Sequence, residues 1–98
     1  MYDLLKQRRS IRKFKKDAVE KEKLDTLLKS ALLSPSSRAK RPWEFIAVTD
    51  KELLQKLSQS KKHGSQFLAD APLGIVVIAD AEECDVWTED ASIASTII

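Results

Sequence analysis

The sequence predicts a mixed fold, α/β or α+β, in which helices cover a central sheet. Segments with helical spacing of apolar residues alternate along the chain with two short runs rich in β-branched residues. Their order is helix, helix, strand, helix, strand, helix, without an internal repeat or a low-complexity tract. Because two strands are too few for a sheet that stands alone, we expect further strands or a partner to complete it.

The first third of the chain is predicted to contain two helices. Residues 1–8 form a short amphipathic segment, and residues 19–33 place leucines at helical spacing with charges on the opposite face. Ser34 precedes Pro35 and ends the second helix, because a residue before proline avoids the helical conformation. Residues 34–42 then form a polar loop between two prolines.

The middle of the chain is predicted to form a strand followed by a third helix. Residues 43–49 are aromatic and β-branched, with Trp43, Phe45, Ile46 and Val48 expected in the core. Residues 49–52, Thr-Asp-Lys-Glu, have the pattern of a capping box that starts a helix. The apolar stripe behind it consists of Leu53, Leu54 and Leu57. Residues 61–66 break this helix.

The last third is predicted to contain a short helical turn, a strand and a fourth helix. Residues 67–72 form the turn, and residues 73–79 are a continuous apolar run, as expected for a strand covered on both faces. Residues 88–98 open with acidic residues suited to a helix N-terminus and then become apolar. Since Ile98 ends an apolar stretch with no capping residue, we expect this helix to pack in an oligomer or to belong to a longer protein.

Charge is distributed unevenly along the chain. The net charge is +2, but seven Lys and Arg residues lie between Lys6 and Lys16, and six acidic residues lie in 80–90. A basic run of this kind is suited to a negatively charged partner, or it is a solvated helix end favoured by the helix dipole. For Lys13, Lys15 and Lys16 the solvated interpretation is preferred.

Several classes of site are not expected. The single Cys84 excludes an internal disulfide framework and a CxxC site. No apolar run approaches the roughly 20 residues of a membrane span, and no signal-peptide core is present, so a cytoplasmic protein is expected. Residues 82–85 are interpreted as a solvated acidic loop, with no metal bound, and His63 as an exposed residue.

Three motifs together resemble the N-terminal half of the FMN-dependent nitroreductase family. They are "RRSIR" at 8–12, "SPSS" at 34–37 leading into "RPWEFIAV", and "FLADAPLGIVVIAD" at 67–80. The resemblance covers Leu4 to Ile98. It implies an α+β fold, a three-layer α/β sandwich with a central sheet flanked by helices, of which residues 1–98 are a single partial, truncated domain.

The resemblance also implies a function. Family members are homodimeric flavoproteins that bind FMN in a groove built from both subunits. NAD(P)H gives a hydride to the flavin, and a nitroaromatic, quinone or similar acceptor then takes the electrons. Because the flavin carries the chemistry, a dedicated catalytic side chain and a metal are not expected.

The resemblance implies a role for each residue of the first motif. Arg8, Arg9, Ser10 and Arg12 match the family's first flavin motif. The resemblance places Arg8 at the FMN phosphate, Ser10 at the ribityl chain or pyrimidine edge, and Arg12 near the N1/O2 edge of the ring. Guanidinium groups suit these roles because they offer a planar fork of donors to an anion.

The second motif matches the loop that covers the flavin from the partner subunit. Pro35, Ser36 and Ser37 belong to it, with Arg38 next to them; an ordinary turn is the alternative. Ala39 and Arg41 stand where many family members carry Asn and Gln. This departure removes amide contacts and adds charge, which is suited to a nucleotide phosphate or an acidic substrate.

Two other functions remain as alternatives. One is a flavin- or nucleotide-binding fragment without turnover. The other is a basic module that binds anions or nucleic acid through residues 6–16 and 38–41. Nucleic acid is the less favoured partner, because only Phe14 and Trp43 lie near the charge as stacking residues and no helix-turn-helix, zinc or RNA-binding motif is present. The electron acceptor and the choice between NADH and NADPH stay open.

Overall fold

An antiparallel pair of strands lies at the centre of the molecule. The structure, a computed structural model, describes residues 1–98. Strand β1 (Trp43–Val48) pairs with strand β2 (Gly74–Ala79) so that the first residue of each strand lies opposite the last residue of the other. The fold class is therefore α+β, as the resemblance implied, with a small antiparallel sheet and helices packed around it.

Four α-helices and two short 3-10 helices complete the fold. The α-helices are α1 (Tyr2–Gln7), α2 (Lys21–Leu32), α3 (Lys51–Ser58) and α4 (Trp87–Ile97). The 3-10 helices are Ser37–Ala39 and Gln66–Asp70. Helix α4 packs on both strands, α2 packs on α4, and α3 packs on the second 3-10 helix. No helix combines the length and the apolar character that crossing a membrane requires.

One face of the sheet is covered around Trp43. Trp43 is only 5% exposed, and its ring centroid lies 5.2 Å from that of Phe45, two residues along the same strand and therefore on the same face. This confirms that Trp43 is a core residue. Its indole Nε1 is buried and has no hydrogen-bond partner in the chain.

The opposite face is covered only near one end. Leu54 of α3 lies over Gly74, where an added Cβ would lie 3.0 Å from the Leu54 Cδ2 atom. Ile46 and Ile78 share this face, and they remain 48% and 43% exposed. The predictions that Ile46 is a core residue and that residues 73–79 are covered on both faces are therefore wrong for this chain, since α3 leaves most of the face open.

Helix α3 begins one residue later than a capping box at residues 49–52 would place it. Asp50 is the N-cap, and its Oδ1 accepts a hydrogen bond from the Leu53 backbone N–H at 3.0 Å. Thr49 lies outside the helix and is exposed. Either residue type is an acceptable N-cap, and Asp is the stronger of the two.

We expect the Asp50→Ala substitution to lower the free energy of unfolding by about 1 kcal/mol, because it leaves an N–H group of the first turn of α3 without its acceptor. Urea unfolding of the purified protein measures this change. Thr49→Ala is the matched control and is expected to have little effect. Equal losses from the two substitutions would contradict the assignment of Asp50 as the cap.

An exposed ion pair lies on the first turns of α2. Lys21 Nζ lies 2.8 Å from Asp25 Oδ2, and this hydrogen bond raises the pKa of Lys21 and lowers the pKa of Asp25. The stabilisation is present at neutral pH. It is lost as the pH falls through the lowered pKa of Asp25, or rises through the raised pKa of Lys21. Both groups are solvated, so the contribution to stability is small.

Candidate functional site

The first predicted motif lies in an exposed segment without regular secondary structure, directly after α1. Arg8 leaves the helical conformation, with φ −58° and ψ 138°, and thereby ends the helix. Its guanidinium Nη1 donates to the Ser10 Oγ at 3.4 Å, so a cationic fork and a hydroxyl lie side by side. Arg12 follows on the same segment and is also exposed. Charged fork donors together with a hydroxyl are the donor set that a phosphate requires.

Arg9 has a local role that the motif did not predict. Its Nη1 donates to the backbone carbonyl of Lys6 at 2.9 Å and to that of Arg8 at 2.8 Å. The carbonyls at the end of a helix lack intrahelical partners, and a basic side chain there satisfies them. Arg9 thus stabilises the bend from which Arg8 and Ser10 extend, while its remaining N–H groups stay exposed.

The second predicted motif forms a tight turn between α2 and β1. Pro35 and Arg38 are exposed, whereas Ser36 and Ser37 are half-buried. The Ser36 hydroxyl accepts a hydrogen bond from the Arg41 backbone N–H at 2.9 Å, which closes the turn on itself. The two serines therefore lie in a fixed turn and not in an open loop.

Three residues of this turn have left-handed backbone conformations. The φ angles of Arg38, Ala39 and Arg41 are 54°, 53° and 49°. Residues other than glycine rarely adopt such angles, and Asn tolerates them better than Ala. A turn with three such residues needs contacts outside itself to hold its shape.

Asp90 provides the first of these contacts. Its side chain lies near the start of α4 and is 4% exposed. Both carboxylate oxygens accept from the Ser37 backbone N–H, each at 3.1 Å, and the Cys84 thiol lies 3.5 Å from Oδ2. The sequence indicated only that Asp90 is an acidic residue in the first turns of a helix. Its partner lies 53 residues away, and no local pattern connects the two.

The acidic loop that precedes α4 provides two further contacts. Arg38 Nη2 lies 3.4 Å from Asp85 Oδ1, and Lys40 Nζ donates to the Glu83 carbonyl at 3.0 Å. The uneven charge of the sequence is thus partly neutralised within the fold. Both side chains of the Arg38–Asp85 pair are largely solvated, so the pair contributes little to stability.

The two predicted motifs are not joined to each other within one chain. No hydrogen bond or ion pair links residues 8–12 with residues 35–38. Two cavities of the fold include no residue of 8–12 or 35–38, although Arg41 of the turn lines the second. One, of about 340 Å³, is lined by residues including Lys16 and Leu54, and the other, of about 460 Å³, by residues including Trp43. Neither motif forms a closed pocket by itself.

Comparison with known proteins decides which family these motifs belong to. Residues 5–64 match the model of the Nitroreductase family. The chain belongs to the nitroreductase family. The family predicted from the three motifs is thereby confirmed, and the matched residues include both the 8–12 segment and the 35–38 turn.

Solved structures of nitroreductases share the fold. An FMN-dependent nitroreductase from Clostridium difficile R20291 superimposes with a TM-score of 0.97 and 61% sequence identity over 99% of this chain. A protein from Clostridium acetobutylicum, solved at 1.40 Å and named as an NADH oxidase, superimposes with a TM-score of 0.88 and 41% identity over 96% of this chain. The nitroreductase fold predicted from the sequence is confirmed.

Known proteins of similar sequence are longer than this chain. The "Putative NADH dehydrogenase/NAD(P)H nitroreductase" of Methanothermobacter thermautotrophicus is 38% identical over 96 residues, which is 95% of this chain and 50% of that protein. The Clostridium difficile structure is covered to 57% of its chain. The chain thus spans about half the length of the nitroreductases that it matches, in agreement with the N-terminal half predicted above.

Proposed function

We propose that this chain is part of an FMN-dependent NAD(P)H oxidoreductase, in which residues 1–98 belong to one nitroreductase domain that acts as a homodimer. The observation that supports this proposal most directly is the exposed pair of Arg8 and Ser10. It lies in a chain that is 61% identical to an FMN-dependent nitroreductase over 99% of its length. Exposed donors suited to a phosphate, at the position of the family motif, support the proposal.

The residues of the first motif fit the anionic end of FMN. Arg8 and Ser10 would bind the phosphate and the ribityl chain, because both are exposed donors within hydrogen-bonding distance of each other. Arg12 would supply a fixed positive charge near the ring edge. Arg9 would contribute its free N–H groups while it holds the end of α1. Bound FMN would accept a hydride from NAD(P)H and deliver the electrons to a nitroaromatic, quinone or similar acceptor.

The residues of the second motif fit the flat ring of the cofactor. Pro35, Ser36, Ser37 and Arg38 form a tight turn with short side chains at its centre, which permits close approach of a planar group. We infer that this turn covers FMN from the partner subunit, since no bond joins it to the first motif of its own chain. The site then takes one motif from each protomer.

The exposed apolar side chains of α1 support the proposal that the chain has a partner subunit. Tyr2, Leu4 and Leu5 are 72%, 69% and 59% exposed, and α1 has no buried residue. A cluster of exposed apolar side chains on one short helix is typical of an interaction surface. This surface adjoins Arg8, so a protomer that covers α1 would also lie next to the proposed phosphate site.

Flavin spectroscopy tests the proposal directly. The purified protein is expected to take up added FMN and to show flavin absorption bands that bleach when NADH or NADPH is added without oxygen. Bands that persist after both nucleotides would favour a flavin-binding fragment without turnover. A protein that does not take up FMN would contradict the proposed function.

Salt separates this function from nucleic-acid binding. We expect FMN to stay bound as the salt concentration rises, because an enclosed cofactor is held by short-range contacts. Binding to nucleic acid through several phosphates would weaken steeply over the same range.

A further inference from the structure

Asp90 is a buried carboxylate with an unusual set of partners. It is 4% exposed, and neither Lys nor Arg forms an ion pair with it. Its two oxygens instead share the Ser37 backbone N–H at 3.1 Å each, and the Cys84 thiol is a weak additional donor at 3.5 Å. A buried charge is tolerated only when hydrogen bonds compensate it. The Ser37 amide is therefore the principal partner of this carboxylate.

The position of Asp90 favours a negative charge. It lies in the first turns of α4, where the helix dipole stabilises an anion, and its own backbone N–H donates to the Val86 carbonyl. The carboxylate is thus fixed to a rigid element that packs on both strands. Through the carboxylate of Asp90, the start of the Ser37–Ala39 turn is attached to α4, which packs on both strands and on α2.

Ser37 begins the part of the turn whose backbone is strained. Ser36 precedes it in an extended conformation, with φ −139° and ψ 154°, and the left-handed residues follow at once. The remaining hydrogen bonds of the turn either are local, from the backbone N–H groups of Ala39, Lys40 and Arg41 to Ser36 or Ser37, or are contacts of exposed side chains with the acidic loop. The bond to Asp90 is the one side-chain contact that anchors the turn to the interior.

We propose that Asp90 is a positioning residue for FMN binding. Its carboxylate fixes the Ser37 amide and thereby orients the Ser36 and Ser37 hydroxyls toward the cofactor. The inference rests on the proposed function of this turn. It assigns a role in cofactor binding to a residue that does not itself contact the cofactor.

A pair of substitutions at Ser37 isolates the bond. Ser37→Ala removes the hydroxyl and keeps the N–H group, whereas Ser37→Pro removes both. The extended conformation of Ser36 is the one that a following proline requires. Because a hydrogen bond to a charged group is lost, Ser37→Pro is expected to bind FMN about tenfold more weakly than Ser37→Ala.

The measurement is a titration of the FMN-free protein with FMN, followed by flavin fluorescence, with thermal unfolding recorded for each variant. Cys84→Ala is the control, because it removes the thiol near Asp90 and leaves the Ser37 bond; its FMN affinity is expected to match that of the original protein. The visible spectrum of bound FMN is expected to differ between the two Ser37 variants, which a loss of stability alone would not cause. Equal affinities and equal spectra would overturn the proposal.

Amide exchange separates this inference from the proposed function. Asp90→Ala removes both acceptor oxygens, and it is expected to accelerate hydrogen exchange at the Ser37 amide while the amides of β1 keep their protection. If the original protein does not bind FMN, the proposed function fails, and the exchange rates still decide whether Asp90 holds the turn. Unchanged exchange at Ser37 in the Asp90→Ala protein would overturn the positioning role.

Discussion

Replacing Arg8 with alanine is expected to weaken FMN binding by about 10- to 100-fold, since hydrogen bonds between a guanidinium and a phosphate are stronger than neutral ones. Arg8 leaves α1 with its side chain exposed and its Nη1 3.4 Å from the Ser10 hydroxyl. No interaction with the rest of the fold depends on this guanidinium, so the substitution should leave the free energy of unfolding almost unchanged. Titration with FMN, together with urea unfolding, measures both effects.

Lys13→Ala is the matched control for this experiment. It removes the same charge from the same exposed segment, five residues further along the chain. If Arg8 binds the phosphate directly, Lys13→Ala weakens FMN binding only slightly, and its effect disappears at high salt because distant charges are screened. Equal losses of affinity in the two variants would mean that residues 6–16 act as a diffuse basic surface, and the assignment of Arg8 to the phosphate would be wrong.

Arg8→Lys distinguishes charge from geometry at the same position. Lysine keeps the positive charge and loses the planar fork that pairs with two phosphate oxygens. An affinity between those of the original protein and Arg8→Ala is expected. Full recovery by lysine would show that only the charge of residue 8 contributes.

The periodicity of apolar residues predicted where the helices and strands lie, but it did not predict which of their residues are buried. The helices and strands begin and end within two residues of the predicted positions. The start of α3 was misplaced because Thr49 and Asp50 are both acceptable caps, and the pattern alone does not choose between them. Ile46 was assigned to the core from its residue type, yet burial depends on which element lies above it, and α3 does not reach it.

Contacts among the candidate site residues can be anticipated from the sequence only where the residues are close together in the chain. Arg8 and Ser10 lie two residues apart, so a motif could bring them together, and the structure does so. The role of Arg9 at the end of α1 required the helix boundary to be known. The bond between Ser37 and Asp90 spans 53 residues and joins a backbone group to a side chain, so no residue pattern records it. The left-handed angles at residues 38, 39 and 41 are likewise a product of the closed turn.

The Leu54→Ala substitution is expected to lower the free energy of unfolding by about 2–5 kcal/mol, because it removes apolar contacts and leaves a cavity under α3. Leu54 is 1% exposed and is the largest side chain that the fold buries completely. Leu53, its neighbour on the same helix, is 51% exposed and is the matched control. Leu53→Ala should change stability by no more than about 0.5 kcal/mol. Urea unfolding of both variants measures the difference.

A second substitution at Gly74 tests whether Leu54 acts through its contact with the sheet. An alanine Cβ at Gly74 would lie 3.0 Å from the Leu54 Cδ2 atom, so Gly74→Ala is expected to destabilise the original protein by crowding this side chain. In the Leu54→Ala protein the same methyl group enters the space left by the leucine, and the substitution should become neutral or stabilising. The two effects should therefore differ by about 0.5–3 kcal/mol, the range found for residues in direct contact. If Gly74→Ala has the same effect in both proteins, Leu54 does not pack on the start of β2, and α3 does not cover that end of the sheet.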